Sequence, residues 1–138
     1  MEWKYCKKQI TENDLYELES LFKIELPREY KKILRECNGG RPRFNVYDSL
    51  TEKERMVKGL LPIGEEYNNN PLQVKDLLEK KSLERLVPFA EDPGGNYLCF
   101  KYINTAAAPK VVLWEHETNN TEEVADSFEE FLGKLYKI

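Results

Sequence analysis

Leu86-Val87-Pro88-Phe89-Ala90-Glu91-Asp92-Pro93-Gly94-Gly95-Asn96-Tyr97-Leu98-Cys99-Phe100 is the stretch whose reading decides the fold. Apolar, β-branched and aromatic residues flank a five-residue break of Asp, Pro, Gly and Asn, the residue types that form turns. This pattern predicts strands over 86–90 and 97–103 joined by a tight turn. The Gly94-Gly95 pair joins strands instead of opening a helix and lacks the GxxxxGKS/T or GxGxxG setting, which favours a tight turn over a phosphate cradle.

Working outward, residues 111–115 give a third strand beyond the break at Asn104 to Pro109. Ser127 with Glu130 reads as a capping box, and Phe128, Phe131, Leu132, Leu135 and Tyr136 fall on one face of a final helix. Towards the N-terminus, Thr11 with Asp14 starts a helix over 12–23, with Leu15, Leu18, Leu21 and Phe22 at helical spacing. Pro27 suits the first position of a second helix, Tyr30, Ile33, Leu34 and Cys37 form its apolar stripe, and Asn38-Gly39-Gly40 stops it. Residues 44–47 and 60–63 read as short strands separated by a charged loop or helical turn at 51–55. Asn70-Pro71 caps a helix that ends near Ser82. The sum is one α+β domain over 1–138, a mainly antiparallel sheet with N-terminal helices and a C-terminal helix packed against it.

Composition agrees. A chain of 138 residues, 41% apolar and 33% charged, suits one soluble domain that buries roughly 68% of its unfolded surface. The start of the chain has no apolar leader and no run reaches membrane-spanning length, so a cytoplasmic setting is expected. Cys6, Cys37 and Cys99 are odd in number and widely spaced, and are expected to be reduced thiols, with neither a disulfide framework nor a zinc site.

Little in the sequence suggests catalysis. Glu115-His116-Glu117 is too sparse for a metal site, given a single histidine, and no metal or other cofactor is expected. Ser127 is taken up as a cap, and Cys99 lies in an apolar strand without an adjacent base. Glu91 and Asp92 are neighbours on an extended chain and so point apart. Charge is more informative. The net charge is −4, yet residues 111–133 hold seven acids and no Lys or Arg, namely Glu115, Glu117, Glu122, Glu123, Asp126, Glu129 and Glu130. Arg28, Lys31, Lys32, Arg35, Arg41 and Arg43 crowd the second helix and the loop after it. A negative chain whose basic cluster is interrupted by Glu29 and Glu36 makes a poor nucleic-acid binder.

The succession Leu26-Pro27, Tyr30, Asn38-Gly39-Gly40, Val87-Pro88-Phe89, Asp92 to Phe100, Trp114, His116 and Ser127 to Leu132 resembles the SMI1/KNR4 family, or SUKH superfamily. Its small bacterial members are mostly immunity proteins. The resemblance implies the same α+β order and a non-enzymatic domain that blocks a cognate toxin, often a nuclease, by occlusion. An acidic inhibitor suits the basic cleft of such a toxin. Lys101 departs from the pattern, standing where family members often carry an acid. The candidate contact residues are Glu91, Asp92, Gly95 and Asn96 at the turn, with Trp114, Glu115 and Glu117 at the strand end. Trp114 has an equal reading as core, because 111–114 is apolar on both faces. Arg41 and Arg43 are a second candidate surface, for an acidic partner. The alternatives are a regulatory scaffold on a housekeeping protein and a small hydrolase using Asp92, Glu91 and His116.

Overall fold

The computed structural model describes residues 2–81, 83, 85–104 and 107–138. Strands β1 (Trp3–Lys4) and β2 (Arg41–Pro42) pair with each other, as do β3 (Val46–Tyr47) and β4 (Arg55–Met56). The main sheet is wholly antiparallel in the order β5 (Gly59–Leu60), β6 (Leu86–Glu91), β7 (Tyr97–Lys101), β8 (Lys110–Glu115), β9 (Asn120–Ala125). Helices α1 (Glu12–Phe22), α2 (Arg28–Glu36) and α4 (Phe128–Lys134) cover one face, and α3 (Pro71–Lys80) packs on the other. The α+β expectation holds.

Local chemistry explains the helix boundaries. Thr11 accepts from the Asp14 amide while Asp14 accepts from the Thr11 amide, a reciprocal capping box. Asn70 caps α3 through the Gln73 amide, with Pro71 in the first turn, where its missing N–H costs nothing. Ser127 caps α4 through the Glu130 amide. Pro27 occupies the N-cap of α2 instead of its first helical position. The helix expected to end near Ser82 ends at Lys80, with Lys81 as its C-cap, and 105–106 within the Asn104–Pro109 break lie outside the described residues. Residues 60–63 form less strand than expected, and Arg55–Met56, within and just past the charged stretch, pairs with β3.

The core of the helix-rich face is aromatic. Phe89 stacks on Phe100 with ring centres 4.2 Å apart, Tyr30 and Phe128 meet both edge-on at 5.1–5.6 Å or, for Tyr30 and Phe89, 6.0 Å, and Tyr30 meets Phe128 at 5.8 Å. Such pairs add to the area they bury. On the opposite face, Leu78 of α3 closes over Leu86, Cys99, Val112 and Trp114.

Two β-bulges set which side chains share a face. In β6, Pro88 pairs with Cys99 but Ala90 with Leu98, so Phe89 is the extra residue and both Phe89 and Ala90 point into the aromatic core. The parity shift sends Glu91 to the α3 face. In β9, Ala125 pairs with Val111 but Glu123 with Val112, so Val124 is extra and Glu122 is delivered to the helix-rich face, opposite Leu113.

The thiol expectation is corrected. Cys6 and Cys37 are disulfide-bonded, and only Cys99, fully buried, is free. The β1–β2 pairing lays the N-terminal segment beside the end of α2, where the Lys7 amide donates to the Asn38 carbonyl. This pairing is non-local, so spacing along the chain gives no hint of it. Gly40 makes room: a Cβ there would collide with the Cys37 sulfur. Among the described residues no helix is long and apolar enough to cross a membrane.

Candidate functional site at the acidic end of the sheet

Antiparallel order brings the β6–β7 turn, the β8–β9 turn and the start of β5 to one end of the main sheet. The β6–β7 turn is organised by Asp92. One carboxylate oxygen accepts from the Gly94 and Asn96 amides at 2.8 and 2.9 Å, and the other from the Asn96 side-chain amide at 3.0 Å. Gly95 adopts φ +87, which favours glycine, and the His116 ring lies 3.5 Å from where a Cβ would stand.

Asn96 then bridges the two turns. Its Oδ1 accepts the His116 amide at 3.0 Å and lies 2.8 Å from His116 Nδ1. Because Asn96 Nδ2 is committed to Asp92, Oδ1 is the acceptor and Nδ1 of His116 bears the proton. Asp92, Gly95, Asn96 and His116 therefore form one constellation, whose chain of hydrogen bonds fixes the turns.

Glu91 stands apart from it, accepting from Asn69 Nδ2 at 3.3 Å and lying 3.7 Å from Lys58 Nζ. Glu115, on the other face, lies 3.6 Å from Arg55, whose guanidinium also meets Glu122 at 3.4 Å and Glu52 at 3.3 Å. Glu122 further accepts from the Thr51 amide and hydroxyl at 3.0 and 2.8 Å, fastening the β3–β4 loop to β9. Burial pushes the Glu122 carboxyl up, but the Thr51 and Ser49 hydrogen bonds and the Arg55 charge outweigh it and hold the group below its usual range. Beneath this cluster the Tyr47 hydroxyl is buried and finds no hydrogen-bond partner among the described residues, and burial raises its pKa.

Two sequence readings change here. Trp114 is 1% exposed: it stacks on Tyr97 on the α3 face and donates its indole N–H to Asn119 at 2.8 Å. Of its two readings, core and contact, this burial fits the core one. The acidic run of 111–133 is also not one surface. Glu115 and Glu117 lie at the turn end and Glu122 partway along β9, whereas Asp126, Glu129 and Glu130 follow the far end of β9, about 17 Å from the turn at 3.4 Å per residue. Glu123, opposite Val112 on the α3 face, lies 3.5 Å from Lys110. Glu117 is exposed in the β8–β9 turn.

Gathered at and near the turn end, among the described residues, are the carboxylates of Glu52, Glu91, Asp92, Glu115, Glu117 and Glu122, with Arg55 ion-paired to Glu52, Glu115 and Glu122 and Lys58 to Glu91. Arg55 was missed by sequence reading, because only Glu52 is its neighbour along the chain and nothing local announces that Glu115 of β8 and Glu122 of β9 converge on it. Arg41 and Arg43 are placed elsewhere, on and just after β2, beside the N-terminal strand.

Residues 12–132 match the family described as SMI1-KNR4 cell-wall, and the chain belongs to that SUKH-type family. It is also similar to the SPbeta prophage-derived uncharacterized protein YokK of Bacillus subtilis (strain 168), at 24% identity over 91% of this chain and 74% of that protein.

Proposed function

We propose that this chain is an immunity-type binder that neutralises a cognate toxin domain with a basic surface, acting by occlusion without chemistry of its own. The observation that carries this reading is the excess of carboxylates on turns held rigid by Asp92, Asn96 and Arg55. Fixed negative potential on a preorganised surface speeds encounter with a cationic partner and rejects wrong ones. Family membership supports the reading, and the prophage origin in the relative's name suits a gene carried with mobile elements. The proposed setting is the bacterial cytoplasm.

The test is recovery of partners on the tagged protein in its native cells, followed by titration of any recovered toxin domain. Glu117→Lys with Glu52→Lys should weaken binding about tenfold at low salt and less at high salt. Glu122 is unsuitable for this test because it fastens a loop. Unchanged affinity at both salt concentrations would rule out the surface, and recovery of a housekeeping protein alone would favour the regulatory scaffold.

A further inference from the structure

At the β1–β2 ladder the polarity reverses. Lys4, Tyr5, Arg41, Arg43 and Lys137 line an open hollow of about 460 Å³ with Glu2 as its one carboxylate side chain. Glu2 lies 3.5 Å from Arg43. Among the described residues, no carboxylate comes within 4.0 Å of Lys4, Arg41 or Lys137. Lys4 and Arg41 are direct cross-strand partners, and like charges in that position repel. Tyr5 is 74% exposed at φ 59, a conformation that bulky residues seldom adopt. A repulsive pair and a strained, exposed aromatic in one hollow are unfavourable to the free chain, and an anion seated between them would relieve the repulsion.

We propose that this hollow docks an acidic segment of a partner protein, and that the Cys6–Cys37 disulfide governs whether the hollow is formed. A short carboxylate-bearing segment fits better than nucleic acid, because the chain's net charge of −4 repels an extended polyanion while the hollow offers a confined positive field. Three of the seven lining residues, Glu2, Lys4 and Tyr5, come from the N-terminal segment, held by two ladder positions, the Arg43 amide bond to the Glu2 carbonyl and the disulfide one residue on. Cys6 is an exposed residue, open to attack by a dithiol reductant, whose first thiolate forms a mixed disulfide and whose second releases the protein as two thiols, the reductant itself leaving as a disulfide. Opening the bond removes the covalent stop behind Tyr5 and frees Lys4 from Arg41.

The probe is a rhodamine-labelled hexaglutamate peptide, read by fluorescence anisotropy and by amide shifts of the oxidised, isotope-labelled protein. Binding should move the amides of Lys4, Tyr5, Arg41 and Arg43. Arg41→Glu with Lys137→Glu should weaken it at least about tenfold, and the charge-matched control Lys80→Glu with Lys101→Glu less than about twofold. Reduction, or Cys6→Ser with Cys37→Ser, should weaken it several-fold with the sheet's circular dichroism intact. Shifts confined to other surfaces, equal losses in both double variants, or tighter binding of a hexathymidine oligonucleotide would overturn the site. Undiminished binding after reduction, or global unfolding on reduction, would overturn its control by the disulfide.

Discussion

Replacing Asn38 by alanine tests the logic of the N-terminal third of the chain. Asn38 is 2% exposed, and its side chain donates to the carbonyls of Lys8 and Ile63 at 2.9 and 3.0 Å while accepting the Ile63 amide at 2.8 Å. Three backbone groups lose their partner on truncation. At about 1 kcal/mol net per hydrogen bond, with the exposed Lys8 able to recover water, the loss should be about 2–3 kcal/mol. Unfolding entropy of about 2.1 cal/mol/K per residue converts this to a fall in Tm of about 9 °C. Asn38→Asp should cost at least as much at pH 7, since an ionised carboxylate would face two carbonyls, and it should recover as acid protonates the group and restores a donor. Urea unfolding at pH 7 and pH 4.5 reads both effects. A loss below about 0.5 kcal/mol for alanine, or equal stability of aspartate and asparagine at pH 7, would refute the claim that this amide joins the N-terminal segment to the loop at Ile63.

Other consequences are equally direct. Glu122, Glu12 and Asp48 all titrate below their usual values when folded, held down respectively by Thr51, Arg35 and Tyr136. The unfolded chain therefore binds more protons than the folded one near pH 4, so stability should be level above about pH 5 and fall as pH drops through the folded-state values. Glu122→Gln should flatten that acid limb in urea titrations. Tyr47→Phe removes a buried hydroxyl that has no partner among the described residues and should leave stability unchanged or raise it by up to about 1 kcal/mol, measured by denaturant midpoint. Thiol titration should find no reactive cysteine in the native oxidised protein, one after unfolding and three after unfolding with reduction. Removing the disulfide should cost about 3–4 kcal/mol on the loop-entropy account for its 31-residue separation.

The helices were legible because capping chemistry is local: Thr11, Asn70 and Ser127 each announce their element within four residues. Strands β6 to β8 were legible for the same reason, as apolar runs bounded by turn residues. β9 was not, since Asn120-Thr121-Glu122-Glu123 is polar on both faces and its one-residue bulge at Val124 breaks the alternation by which strands are recognised. As an edge strand it is free to be charged, and the charges discourage edge-to-edge pairing. The candidate site was half legible. The turn of Asp92, Gly95 and Asn96 could be placed from sequence, but the capture of Glu115 and Glu122 by Arg55 depends on bulge parity and a distant hairpin. An acidic run in sequence became two surfaces because a strand runs through it.

The bond between Cys6 and Cys37 also makes a closed covalent ring of the segment that contains α1 and α2. Leu15, Leu18, Phe22, Leu26, Tyr30, Ile33 and Leu34, all buried in the aromatic-rich core, lie inside that ring. A protease that cuts the connection between the two helices, around residues 23–26, therefore opens the ring without dividing the molecule, and the two ends stay on the same sheet. Under oxidising conditions the nicked chain travels as one species, and a reductant turns the same cut into the release of α1 with its share of the core.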